Sequence, residues 1–226
     1  MRSRLWLGGV ISHHRDGRLI RQLLTRVRTC GPVEKILLVT DGLASYQSQA
    51  LKVFRKPLHS GKVGRRRLVL PTGVMIARVK KRYQRRRVVE VIRHVVVGTE
   101  VEVICRVIGT QRSIQALINT SYIERLNATF RGRLISLARK TRAGAHKKQC
   151  TLESGMWLVG GCYNFVRAHR SLGRRLAEER TPAEAAGLTD HRWTMEELLI
   201  FPVPPAELPR WRGRKPRWLL EAEHAA

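Results

Sequence analysis

Apolar residues along this chain come in blocks whose spacing alternates between continuous runs and helical stripes. Residues 4–12 (RLWLGGVIS) are rich in strand formers and read as a buried strand. Asp16 then precedes Leu19, Ile20, Leu23, Leu24 and Val27, a stripe that predicts a helix capped by the aspartate and stopped by Gly31-Pro32. Residues 36–40 (ILLVT) are continuously apolar and end at Asp41-Gly42, the pattern of a buried strand with a sharp exit. A short amphipathic helix through Leu43, Tyr46, Ala50 and Phe54 follows. Strand, helix, strand, helix in this order predicts an α/β layer with a largely parallel sheet.

The pattern changes after Lys52. Residues 88–97 and 100–108 both read as strands separated by Gly98-Thr99, so a β-hairpin is expected there. Residues 121–139 form the strongest helical pattern, with Tyr122, Ile123, Leu126, Phe130, Leu134 and Leu137 as its apolar stripe. Glu124, Asn127 and Arg131 lie together on the opposite face, and Ser121 with Glu124 fits a capping box. Further helices are expected over 151–168, after Thr181-Pro182, and from the capping box of Thr194 with Glu197. The expected organisation is an N-terminal α/β part (1–56), a basic β-rich insertion (57–113), a helical part (114–200) and a Pro/Arg-rich tail (201–226).

Charge then narrows the function. Forty-four Lys and Arg against 17 Asp and Glu give +27, which opposes compaction unless a polyanion neutralises it. Nucleic acid is the polyanion that fits, because each neutralised phosphate also releases counterions. Arg65, Arg66 and Arg67, then Arg85, Arg86 and Arg87, form clusters in a stretch from Lys52 to Arg93 whose one acid is Glu90. A second acid-free basic stretch runs from Arg125 to Lys148. Arg212 and Arg214 in the tail sit in an Arg-Gly-Arg core suited to a narrow minor groove. No apolar run reaches the length of a membrane span. Cys30, Cys105, Cys150 and Cys162 lack zinc or disulfide spacing and read as buried, reduced cysteines of a cytoplasmic, nucleoid-associated protein.

Aspartate is scarce: Asp16, Asp41 and Asp190 are the whole set. Asp41 stands where α/β enzymes place catalytic groups, beyond the carboxyl end of a strand, although an Asp-Gly turn would look the same. The segments VTDGLASY, NTSYIERLNATFRGRLISLARKT, YNFVRAHRSL and RTPAEAAGLTDHRWT, in this order, resemble the second half of DDE-type insertion-sequence transposases. That resemblance implies an RNase H-like core, shared with retroviral integrases, carrying a basic β-hairpin insertion. It implies Asp41 and Glu124 as catalytic metal ligands for Mg²⁺ or Mn²⁺, and Arg131 as the basic residue seven positions on. It places Tyr163, Asn164 and His169 in the segment that follows the catalytic helix.

Such sites cut and rejoin DNA by in-line displacement at phosphorus. Arg125, Asn127 and Arg131 would position phosphates or base edges. Double-stranded DNA is the implied partner, engaged by a homo-oligomer. The family's first aspartate has no counterpart, since Asp16 is better explained as a helix cap. The expectation is therefore a chain that starts inside the fold and is inactive alone. The alternatives are a non-catalytic DNA-binding fragment acting as a repressor, and an unrelated ribosomal-type RNA binder.

Overall fold

Helix α1 (Gly17–Thr29) starts where the sequence places it, with the Asp16 carboxylate accepting from the Leu19 amide at 2.9 Å. This computed structural model describes residues 3–12, 14, 16–32, 36–59, 61, 64–110, 118–137, 149–173 and 179–202. After α1 come β1 (Leu37–Thr40), α2 (Ala44–Val53), a small antiparallel pair β2 (Lys56–Pro57) and β3 (Leu68–Val69), β4 (Met75–Gln84) and β5 (Arg87–Val97). Helices α3 (Glu100–Thr110), α4 (Ser121–Arg133), α5 (Gln149–Gly161), α6 (Pro182–Ala186) and α7 (Met195–Ile200) complete the mixed α/β fold.

The main sheet has the order β1-β4-β5, with β1 parallel to β4 and β4 antiparallel to β5. Alternation along β4 divides the core in two. Val74 and Ile76 face Ile20 and Leu24 of α1 and Ala50, Val53 and Phe54 beside α2. Met75, Ala77 and Val79 face Val103 and Val107 of α3, together with Ile118. Each large side chain fully removed from water here stabilises the fold by about 2 kcal/mol. Helices thus cover both faces of β4, which lies inside the basic segment of the sequence yet forms the middle of the sheet.

Three sequence expectations are corrected. The hairpin is β4–β5, turning at Arg85-Arg86, and residues 100–108 belong to helix α3 rather than to a second hairpin arm. Glu102 decides this: its carboxylate accepts from the Thr99 amide at 2.9 Å while Thr99 Oγ1 accepts from the Glu102 amide, so a capping box starts a helix. Val103 and Val107, one turn apart, then bury together.

Residues 4–12 form no strand and are mostly half-buried. They run as an extended strap whose backbone is satisfied by side chains instead of a ladder. The Asn164 amide brackets Trp6, accepting from its N–H at 2.9 Å and donating to its carbonyl at 2.8 Å. The Arg26 guanidinium donates to the Gly9 carbonyl and Gln149 to that of Ile11. The third correction concerns the cysteines: Cys30, Cys105 and Cys150 are exposed and Cys162 is half-buried, none in a disulfide.

The strap is anchored by aromatic packing. The Trp6 ring meets Phe130 of α4 and Trp157 of α5, with centroids 5.4 and 5.0 Å apart. It lies so close on Gly160 that a Cβ there would come within 1.9 Å of it. Past α5 the chain widens into a π-turn (Cys162–Val166), closed by the Arg167 amide on the Cys162 carbonyl at 2.8 Å, which buries Tyr163 and Asn164. Such turns are rare in helices and concentrate at functional positions. Thr181 with Glu184 and Thr194 with Glu197 form the capping boxes of α6 and α7.

Candidate nucleic-acid interface

Glu124 is held rather than free. Its carboxylate accepts from the Lys81 ammonium at 2.6 and 2.8 Å and from Thr120 Oγ1 at 2.7 Å. The expected capping box with Ser121 is not made. Thr120 is the N-cap, and the Ser121 hydroxyl donates to the Asn119 side chain. Hydrogen bonding by Lys81, then by Thr120, holds the Glu124 carboxyl below the usual glutamate range. Lys81 continues the β4 face of Met75, Ala77 and Val79, so the pair ties the first turn of α4 to the sheet. Arg93 of β5, paired across from Val79, donates from Nε to the Ile118 carbonyl at 2.8 Å and fixes the approach to α4 from the same side.

Asp41 lies one residue beyond the last paired position of β1. Thr40 pairs with Arg78, so Asp41 leaves the sheet at the level of Val79, two residues before Lys81 on the neighbouring strand. Strand alternation places it on the face of Leu37 and Val39, both packed against the α3 side of the core. Its carboxylate accepts from the Leu43 amide at 3.2 Å at the entry to α2. Topology thus brings Asp41 and Glu124 to the same sheet face and region, through β1 and β4 respectively.

The candidate DNA contacts fall into groups. Asn127 and Arg131 stand exposed with Glu124 on the outer side of α4, and Arg125 is exposed beside it. The apolar stripe beneath is thinner than expected: Phe130 is buried, Tyr122, Leu126, Leu134 and Leu137 are half-buried, and Ile123 is 49% exposed. Arg65, Arg66 and Arg67 are exposed ahead of β3, where the Arg67 carbonyl accepts from the Leu58 amide at 2.8 Å. Arg85, Arg86 and Arg87 are exposed at the end of the β4–β5 ribbon. Arg85 and Arg86 both have positive φ, 45° and 65°, a turn geometry that favours Asn-Gly and strains two arginines. Arg212, Arg214 and the stretch 138–148 lie outside the described residues.

A divalent-ion site is the chemistry the resemblance implies. Among the described residues, no three His, Cys, Asp or Glu side chains group so as to hold a metal ion. Asp16 is committed to capping α1, and Glu124 is already neutralised by an ammonium. This donor set does not fit a pair of divalent ions. No helix among the described residues is long and apolar enough to cross a membrane. The chain matches no family model, no curated protein and no solved structure.

Proposed function

We propose that this chain is a DNA-binding protein of the transposase type that, by itself, binds duplex DNA without cutting it. The observation that carries the reading is the Glu124–Lys81 pair, which seats the first turn of α4 on the sheet face that Asp41 enters from β1. Parallel β1 and β4 joined through α2, an acid past the end of β1, and a glutamate opening a later helix are the order of the second half of an RNase H-like core. The exposed cations of the β4–β5 ribbon and of α4 flank this region, and a two-stranded ribbon has the width to enter a major groove. Binding would come mainly from phosphate contacts, with Asn127 and Arg131 positioning the duplex over α4.

Incubating the full chain with linear duplex and either Mg²⁺ or Mn²⁺ tests this reading. The expected result is a retarded complex and no nicked or joined strands. Metal-dependent nicking that vanishes in Asp41→Ala would replace the binding reading with a catalytic one.

A further inference from the structure

A second basic cluster lies away from the Glu124 carboxylate, under the N-terminal strap. Arg4 precedes Trp6 by two residues and holds a strained backbone at φ 56°. Its guanidinium donates to the Ser171 hydroxyl and stacks over the Tyr122 ring at 4.7 Å, both neutral partners. Arg125 extends from α4, and Arg167 follows the π-turn. Both are exposed, and neither has an acidic partner among the described residues. All three guanidiniums act on two rings, Tyr163 and His169, which meet edge to face at 4.9 Å.

His169 is the sensitive element. Its backbone N–H is paired with the Arg180 carbonyl at 2.8 Å, but its ring Nε2 is buried with no hydrogen-bond partner. Burial first, then the charges of Arg167, Arg4 and Arg125, hold its pKa below the usual histidine range, and only Glu179 opposes them. Three like charges converging on a neutral imidazole and a phenol repel one another and gain nothing from the protein around them. An anion seated among them would relieve that repulsion, and guanidiniums match phosphate oxygens in geometry.

We propose that Arg4, Arg125 and Arg167, over the rings of Tyr163 and His169, form a seat for one backbone phosphodiester of DNA. The strap places Arg4, α4 places Arg125, and the π-turn places both Arg167 and Asn164, the residue that holds the strap down. This seat deepens the DNA-binding reading and rests on it, because it adds a fixed phosphate position beside α4 to the mobile charges of the ribbon.

The test is nitrogen-15 NMR of the histidine rings in the full chain, with inorganic phosphate and a 20-base-pair duplex added separately. The His169→Asn variant assigns the signal. Both probes are expected to move the His169 resonance and raise its titration midpoint, because the bound anion cancels the arginine field. The double variant Arg125→Gln/Arg167→Gln, altered at two exposed side chains, should lose the response to phosphate. It should also bind duplex with a log–log salt slope shallower by about 1.8, at about 0.9 per lost contact. Duplex binding that leaves His169 unmoved, with an unchanged slope in the double variant, would overturn the seat while the DNA-binding reading stands. A His169 response to phosphate in a chain that does not bind duplex would support the seat as an anion site and remove the DNA reading.

Discussion

The β4–β5 ribbon and the basin under the N-terminal strap both gather arginines, yet they hold them by different means. The ribbon is local: its strands are neighbours in sequence and its cations stand in water, with one partner acid in Glu90, 3.6 Å from Arg82. The basin is assembled from residues 158 positions apart through the Asn164–Trp6 pair, and rings cover its floor. Charge on a ribbon contributes nearly independently, contact by contact, whereas charge in the basin depends on the strap staying in place. The same residue type therefore fails differently in the two regions when the fold is perturbed.

The largest expected effect removes the ribbon's charge. Arg85→Gln, Arg86→Gln and Arg87→Gln together should weaken duplex binding by about 2.7 log units at 0.1 M salt, at about 0.9 per phosphate contact. Thermal stability should hold, since all three side chains are exposed. Melting curves and fluorescence anisotropy on the same samples check both halves, and a large loss of stability would show that the ribbon is not independent.

Next in size is the opposite failure. In Gly160→Ala the new methyl meets the Trp6 ring and the strap must shift, at about 3 kcal/mol, the upper part of the usual overpacking range. Tryptophan emission should change along with the melting temperature, while amide exchange in the ribbon stays as it was. A variant with wild-type emission and stability would show that the strap is not seated on α5.

A smaller effect isolates the strained turn. Arg85→Asn with Arg86→Gly suits the positive φ angles and should stabilise the ribbon by about 1–2 kcal/mol while weakening DNA binding. Slower hydrogen exchange at Tyr83 and Val88, which face each other beside the turn, is the expected reading. Faster exchange there would mean the arginine backbone is not under strain.

These regions also separate what the sequence reveals from what it hides. The Asp16 cap, the ILLVT strand and the capping boxes of α6 and α7 were legible because each is a local signal. Helix α3 was misread because Glu100-Val101-Glu102-Val103 alternates like a strand, although Thr99 with Glu102 is a readable capping box. The true hairpin turn carries Arg-Arg in place of the glycine or asparagine that announces such turns. The strap reads as a strand by composition, but its hydrogen bonds go to Asn164, Arg26 and Gln149, which no local pattern links to it. Glu124 was legible as a candidate, and Lys81 as its partner was not, because that contact spans 43 residues. Arg4 and Arg167 were missed for the same reason: only the folded chain brings them to His169.

The smallest expected effect concerns that long-range pair. Glu124 has a lower pKa folded than unfolded, so its contribution is complete above the ordinary glutamate range and fades as pH falls through the lowered value. Its side chain is 52% exposed, so solvent screening keeps the contribution small. Lys81→Met should therefore flatten the acid limb of the urea midpoint against pH, with little change at neutrality. A wild-type acid limb in that variant would show that Lys81 does not set it.

The account stands most directly on the salt dependence of duplex binding by the full chain between about 50 and 200 mM monovalent salt. If the ribbon and the α4 side engage the backbone together, at least about six phosphates are neutralised and log K falls against log salt with a slope near −5 or steeper. A slope close to zero would mean that these cations do not meet DNA, and would contradict the account.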